Sequence, residues 1–145
     1  MFAKILYPTD FSDVSKKALG YIKQLRQTGT KELVVLNVID MRATEALHKF
    51  MEDSKIQELK EKRKTKATEQ LAEIEKALKE ADLAVKTRLE TGIPVMEILR
   101  VEKEEDVSLV VIGSHGMSNL EEIFLGSISE KVIRKCKKPV LMIKR

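Results

Sequence analysis

Leu109-Val110-Val111-Ile112-Gly113-Ser114-His115-Gly116 is the stretch on which the reading of this chain turns. Four apolar residues run straight into two glycines, and helix-like sequence follows. A strand that ends in glycines and feeds a helix N-terminus can hold phosphate. Glycine lets backbone N–H groups approach an anion, and the helix dipole adds partial positive charge. A short apolar run without alternation suits a parallel strand covered on both faces.

Working outward, the same pattern recurs. Ala3-Lys4-Ile5-Leu6-Tyr7 reads as a first strand, stopped by Pro8-Thr9-Asp10. Ser12 or Asp10 can cap a helix carrying Val14, Ala18, Tyr21, Ile22 and Leu25, which Gly29 ends. Leu33 to Val38 is a second strand. Residues 41–54 mix helix formers with no clear stripe. From about Ser54 the spacing of Ile56, Leu59, Arg63, Ala67, Leu71, Ile74, Leu78 and Ala81 predicts one long helix. Arg63 is the charged member of that stripe, and its aliphatic stem is expected to lie along the apolar face. Leu83, Val85, Thr87 and Leu89 alternate as a third strand, and Thr91 to Pro94 reads as a turn. Pro94 suits the first turn of a helix to about Glu105. Leu109 to Ile112 is the fourth strand. Ser118 or Asn119 is expected to cap a helix continuing to Lys137, and Pro139 precedes a fifth strand, Val140 to Ile143. Strands alternating with helices predict an α/β fold, an open parallel sheet with helices on both faces.

Composition sets the bounds. At 145 residues, 43% of them apolar and 34% charged, the chain reads as one globular domain, 1–145. No apolar run approaches membrane-spanning length, and Met1-Phe2-Ala3-Lys4 carries no signal-peptide pattern, so the expected location is the cytoplasm. The single Cys136 agrees with a reducing compartment, and beside Val132 and Ile133 it reads as a packed thiol. Net charge is +4, with much of the excess in Lys60-Glu61-Lys62-Arg63-Lys64-Thr65-Lys66. No aromatic platform interleaves with that run, which therefore reads as a solvated helix face and not a specific nucleic-acid site.

In open α/β sheets, ligands bind beyond the carboxyl ends of strands, where strand order reverses. Two strand ends carry suitable chemistry, Pro8-Thr9-Asp10 after the first and the glycine segment after the fourth. Gly113 would let the chain turn, Gly116 would admit phosphate, and Ser127 could donate a hydroxyl and a backbone N–H. Asp10 can accept hydrogen bonds from a sugar hydroxyl or a base amine, with a helix cap as its other role. Val38 could offer apolar wall and backbone groups to a base.

Other chemistries fail on spacing. There is no Gly-x4-Gly-Lys-Ser/Thr loop and no Gly-x-Gly-x2-Gly fingerprint. His48 and His115 lie far apart without ligand-spaced partners, which leaves a structural zinc site unsupported. Ser127 and His115 lack the Gly-x-Ser-x-Gly elbow of a hydrolase, and His115 reads as a loop residue near phosphate.

Gly113-x2-Gly116-x9-Gly126-Ser127 resembles the nucleotide-binding signature of universal stress proteins. Ile5-Leu6-Tyr7-Pro8-Thr9-Asp10-Phe11-Ser12, Val35 to Asp40, and Ser127 to Ile133 with Lys138 to Ile143 resemble that family too, so the likeness spans the chain. It implies sheet order 3-2-1-4-5 and a homodimer through the last strand, Val140, Leu141, Met142 and Ile143. It implies ATP, with Mg or Mn, held at Pro8, Thr9, Asp10, Val38, the loop Gly113, Ser114, His115, Gly116, Met117, Ser118 and Asn119, and the turn Gly126, Ser127, Ile128 and Ser129. Asp10 and backbone at Val38 would meet adenosine; the two glycine segments would hold ribose and phosphates. The residue after the second glycine is often basic in that family and is Met117 here, with Glu121 and Glu122 nearby. Two alternatives stand beside an ATP-binding regulator, in which ATP acts as a bound signal or is hydrolysed slowly. One is a dimeric interaction scaffold independent of nucleotide; the other is an adenylyl-transferring relative, for which no catalytic base is evident.

Overall fold

The computed structural model describes residues 1–114 and 126–144. Five parallel strands form one sheet, as the sequence predicts, in the order 3-2-1-4-5 that the resemblance implies. They are β1 (Lys4–Pro8), β2 (Glu32–Asp40), β3 (Ala84–Gly92), β4 (Leu109–Gly113) and β5 (Val140–Ile143). The helices are α1 (Asp13–Leu25), α2 (Met41–Glu45), α3 (Asp53–Lys79), α4 (Pro94–Glu104) and α5 (Ser127–Lys135), with short 3-10 turns at Arg26–Thr28 and Ala46–Lys49.

Each strand sends alternate side chains to opposite faces, and both faces are apolar along β1, β2 and β4. Ile5, Tyr7, Leu33, Val35, Leu109 and Val111 pack with Ala18 and Ile22 of α1 and Leu71, Ile74 and Leu78 of α3. Leu6, Val34, Leu36, Val110 and Ile112 pack with Ile98 and Val101 of α4 and Val132 of α5. This division follows from crossover handedness. The chain moves one way from β1 through β2 to β3 and the other way from β3 to β4 and β5, so right-handed connections place α1 and α3 on one face and α4 and α5 on the other. The reversal puts β1 beside β4, in register Ile5 with Leu109 and Leu6 with Val110.

Several local expectations change. Strand β3 runs through Thr91 to Gly92, because β2 pairs with it as far as Asp40 opposite Gly92, and the turn shrinks to Ile93 before Pro94. Residues 41–49 form α2 and a 3-10 turn, started by the Asp40 carboxylate accepting from Arg42 N–H at 3.0 Å. Arg63 is exposed instead of lying along the core, and no residue of α3 between Ile56 and Ala67 is buried. The apolar stripe of the 27-residue α3 is therefore buried at Ile56 and again only from Ala67 onward.

The last helix starts at Ser127, because Gly126 is extended at ψ 146° and breaks any continuous helix into this segment. It ends at Lys135, with Cys136 extended at ψ 136°. The expected caps Ser118 and Asn119 lie outside the described residues. Val132 is buried and Cys136 half-buried, whereas Ile133 is exposed. Burial pushes the Cys136 thiol above its ordinary pKa, in keeping with a packed and unreactive group.

Candidate functional site

The carboxyl ends of β1 and β4 meet the N-termini of α1 and α5. On the β1 side, Ser12 caps α1, its hydroxyl accepting from Ser15 N–H at 3.3 Å. That leaves Asp10 out of the helix cap. Its Oδ1 accepts from Ser12 N–H at 3.0 Å, and the side chain is exposed. Pro8 and Thr9 are buried, and Thr9 N–H donates across to Leu36 C=O at 2.8 Å. Between Asp10 and Ser12 the backbone turns at Phe11 with φ +65°, a left-handed conformation unusual for a bulky side chain.

On the β4 side, Gly113 is the last strand residue, paired with Ile143. The sequence suggests it as a turning glycine; the structure gives another reason for it. Its φ is not left-handed. A Cβ placed there would meet Val14 Cγ1 at 3.1 Å and Ser15 N at 3.4 Å, so glycine admits the start of α1 close against β4. Ser114 is buried, its N–H donating to Ile143 C=O at 2.8 Å. Two contacts then draw the glycine segments together: Gly126 N–H donates to Ser114 C=O at 2.7 Å, and Ser129 Oγ donates to Gly113 C=O at 2.6 Å. Ser129 is therefore buried and committed to the backbone, while Ser127 and Ile128 are exposed at the first turn of α5. The N–H groups of Ser127, Ile128 and Ser129 precede the first intrahelical bond, from Glu130 N–H to Gly126 C=O.

The structure thus brings Thr9, Asp10, Gly113, Ser114, Gly126, Ser127, Ile128 and Ser129 to one end of two adjacent strands. Half-buried Val38 lies beyond Leu36 on the neighbouring strand, whose register with β1 stops at Pro8 opposite Leu36. His115, Gly116, Met117, Ser118 and Asn119 lie outside the described residues. Two helix N-termini and an anionic side chain can together take a ligand with a phosphate at one end and hydrogen-bond donors at the other. Among the described residues no cluster of three or more His, Cys, Asp or Glu could hold a metal ion.

Three residues of this region escape sequence reasoning. Tyr7, Ser15 and Asn37 read as ordinary strand and helix positions, yet all are buried polar groups bonded to the Thr9–Ser12 turn or the start of α1. The available signal was the interruption of apolar alternation on the α1/α3 face of β2, where Asn37 follows Leu33 and Val35.

Comparison with known proteins agrees with this architecture. The profile of the universal stress protein family matches residues 1–144. Universal stress protein MJ0577 of Methanocaldococcus jannaschii is 38% identical, covering all of this chain and 96% of its own. Its solved structure superposes with a TM-score of 0.92 at 39% identity, over 100% of this chain and 97% of that one. Universal stress protein YxiE of Bacillus subtilis is 34% identical over 99% of this chain and 100% of its own. Two further structures that share the fold, at 23% and 21% identity, are a universal stress protein in complex with cAMP and one from Archaeoglobus fulgidus in complex with dAMP.

Proposed function

This chain belongs to the universal stress protein family, and from that premise we propose that it is a dimeric ATP-binding regulator. The observation that carries the reading is the convergence at the switch point. Asp10 stands exposed at the end of β1, and Gly126 and Ser129 are bonded to Ser114 and Gly113 at the end of β4. In this reading Asp10 and the backbone at Val38 meet the adenosine. The N-terminus of α5, with Ser127 and the loop from Gly113 to Asn119, takes the phosphates. Relatives that carry cAMP and dAMP support an adenine nucleotide as the ligand class. A divalent ion would arrive on the phosphates, since the described residues offer only isolated carboxylates near the site. The nucleotide acts as a bound signal or is hydrolysed slowly, and it changes which partner the dimer accepts. The dimer forms through β5, an edge strand of the sheet.

Protein purified and then denatured should release adenine nucleotide, detected by mass spectrometry. Mg-ATP at about one hundred times its Kd should stabilise the fold by ~2.7 kcal/mol, read as a rise in Tm. Absence of both effects overturns the ATP reading and leaves the nucleotide-independent scaffold.

A further inference from the structure

The turn that presents Asp10 is held in a costly shape. A bulky residue in the left-handed region costs about 1 kcal/mol or more and persists only where its surroundings over-determine it. Here they do. Thr9 is gripped at three groups: its N–H donates to Leu36 C=O at 2.8 Å, its C=O accepts from Asn37 Nδ2 at 2.8 Å, and its Oγ1 accepts from Ser15 Oγ at 2.6 Å and from Phe11 N–H at 3.0 Å. Ser15 is fixed in turn by Tyr7, whose hydroxyl donates to Ser15 C=O at 2.5 Å and lies 3.0 Å from Ser15 Oγ.

These partners are expensive choices. Tyr7 is fully buried and Asn37 is 8% exposed, both on the face where Ile5, Leu33 and Val35 form core. A leucine at position 37 would pack there without desolvating an amide. The Asn37 amide donates to Thr9 C=O, which fixes its orientation, and its Oδ1 has no hydrogen-bond partner among the described residues. Among the described residues, the hydrogen bond this amide makes is the one that holds the Thr9 carbonyl. Tyr7, without exposed surface, cannot touch a bound nucleotide. Pairing the C=O and N–H of buried Thr9 is a requirement of stability; the convergence of polar side chains from β1, β2 and α1 on this one turn also suits the presentation of Asp10.

Building on the nucleotide reading above, we propose that Asn37 and the Tyr7–Ser15–Thr9 hydroxyl chain are positioning residues that lock the Phe11 turn and so set the aim of Asp10 toward the nucleoside. Asn37→Asp is isosteric and sets an oxygen against the Thr9 carbonyl. Asn37→His retains a ring N–H where the amide N–H stood. Affinities for adenosine and for Mg-ATP are measured by calorimetry at 15 °C, alongside thermal unfolding to confirm that each variant is folded at that temperature.

Asn37→Asp should weaken adenosine and Mg-ATP by the same factor, about tenfold, as one lost hydrogen bond permits. Asn37→His should recover most of that loss, and Tyr7→Phe should weaken both ligands about threefold. A merely structural role would lower Tm and leave the affinity of the folded protein unchanged, and that result overturns the proposal. So does Asn37→His binding as weakly as Asn37→Asp. If Asn37→Asp does not fold, Tyr7→Phe and Ser15→Ala decide: unchanged affinity in both overturns the proposal, and parallel loss for both ligands supports it. Wild-type protein that binds neither ligand refutes the nucleotide reading itself, a result distinct from binding that the variants leave intact.

Discussion

The two edges of the sheet are built on opposite plans. At one edge β3 is nine residues long and carries Lys86, Arg88 and Glu90 along one face. Arg88 donates to Glu90 at 2.7 Å, Glu104 at 2.9 Å and Glu105 at 3.1 Å. Glu105 also receives Lys86 at 2.7 Å and Lys4 at 3.3 Å. Arg100 extends the network to Glu90, Glu97 and Glu104. At the other edge β5 is four residues, Val140-Leu141-Met142-Ile143, without a charge among them. Charged side chains on an edge oppose pairing with another chain, and a short apolar edge invites it. The difference suits the proposed dimer: β3 guards its edge of the sheet, and β5 is the edge at which a second copy would pair in a two-fold dimer.

The most severe test breaks β5. Pro139 and Ile143 turn their carbonyls toward β4, accepting from Val110 and Ser114. In a parallel ladder the groups facing one neighbour alternate, so Leu141 faces β4 as well, and Val140 and Met142 present their backbone outward. Met142→Pro therefore removes an outward N–H without cutting a bond to β4. It should convert the proposed dimer completely to monomer by light scattering while the fold survives by circular dichroism. Leu141→Pro would injure the sheet itself and is the poorer test. A Met142→Pro protein of unchanged mass would place the interface elsewhere.

The contrast also shows what a sequence can carry. Strand existence was legible because four strands are apolar runs between turn residues and the third alternates, whereas strand order was legible only through the family resemblance. The guarded edge was not legible. Arg88 finds Glu104 and Glu105 sixteen and seventeen residues away, and no local period pairs β3 with the end of α4. The same limit applies at the site. Asp10 and the glycines stand out by residue type, whereas Asn37 and Tyr7 look like core because their partners are backbone groups brought near only by folding. Gly113 was visible, but for the wrong reason, since a close approach by α1 leaves no mark in the sequence beside it. Arg63 fits the helical stripe and still faces solvent, because periodicity does not say which turns of a long helix meet the core.

A middle-sized effect should come from opening the β3 guard. Arg88→Ala removes one cation from each of three carboxylates, of which the Glu105 side chain is 8% exposed. Breaking a partly buried network in this way should cost about 1–2 kcal/mol, a Tm lower by roughly 3–8 °C. If the guard also prevents pairing, the variant should show concentration-dependent mass above the dimer. Loss of stability without that higher mass would mean that the network is structural only.

The smallest and most selective effect is on pH dependence. The hydrogen bond from Lys86 holds the Glu105 carboxyl below its ordinary pKa, with burial opposing and Lys4 and Arg88 helping, and Arg88 and Arg100 do the same for Glu104. A carboxyl with a depressed folded-state pKa stabilises the fold above its unfolded pKa, about 4.3. That stabilisation is lost as pH falls through the folded value. Acid titration of the native protein should thus show stability falling below about pH 4.3. Glu105→Gln should flatten this slope while leaving the Met142→Pro dimer test unaffected, because β5 has no titratable group. Replacing Lys86 with Ala, which leaves Glu105 its Lys4 and Arg88 partners, should shift stability by no more than ~0.5 kcal/mol at neutral pH. An equal acid slope in wild type and Glu105→Gln would remove electrostatics from the β3 edge and, with it, the physical distinction between the two edges.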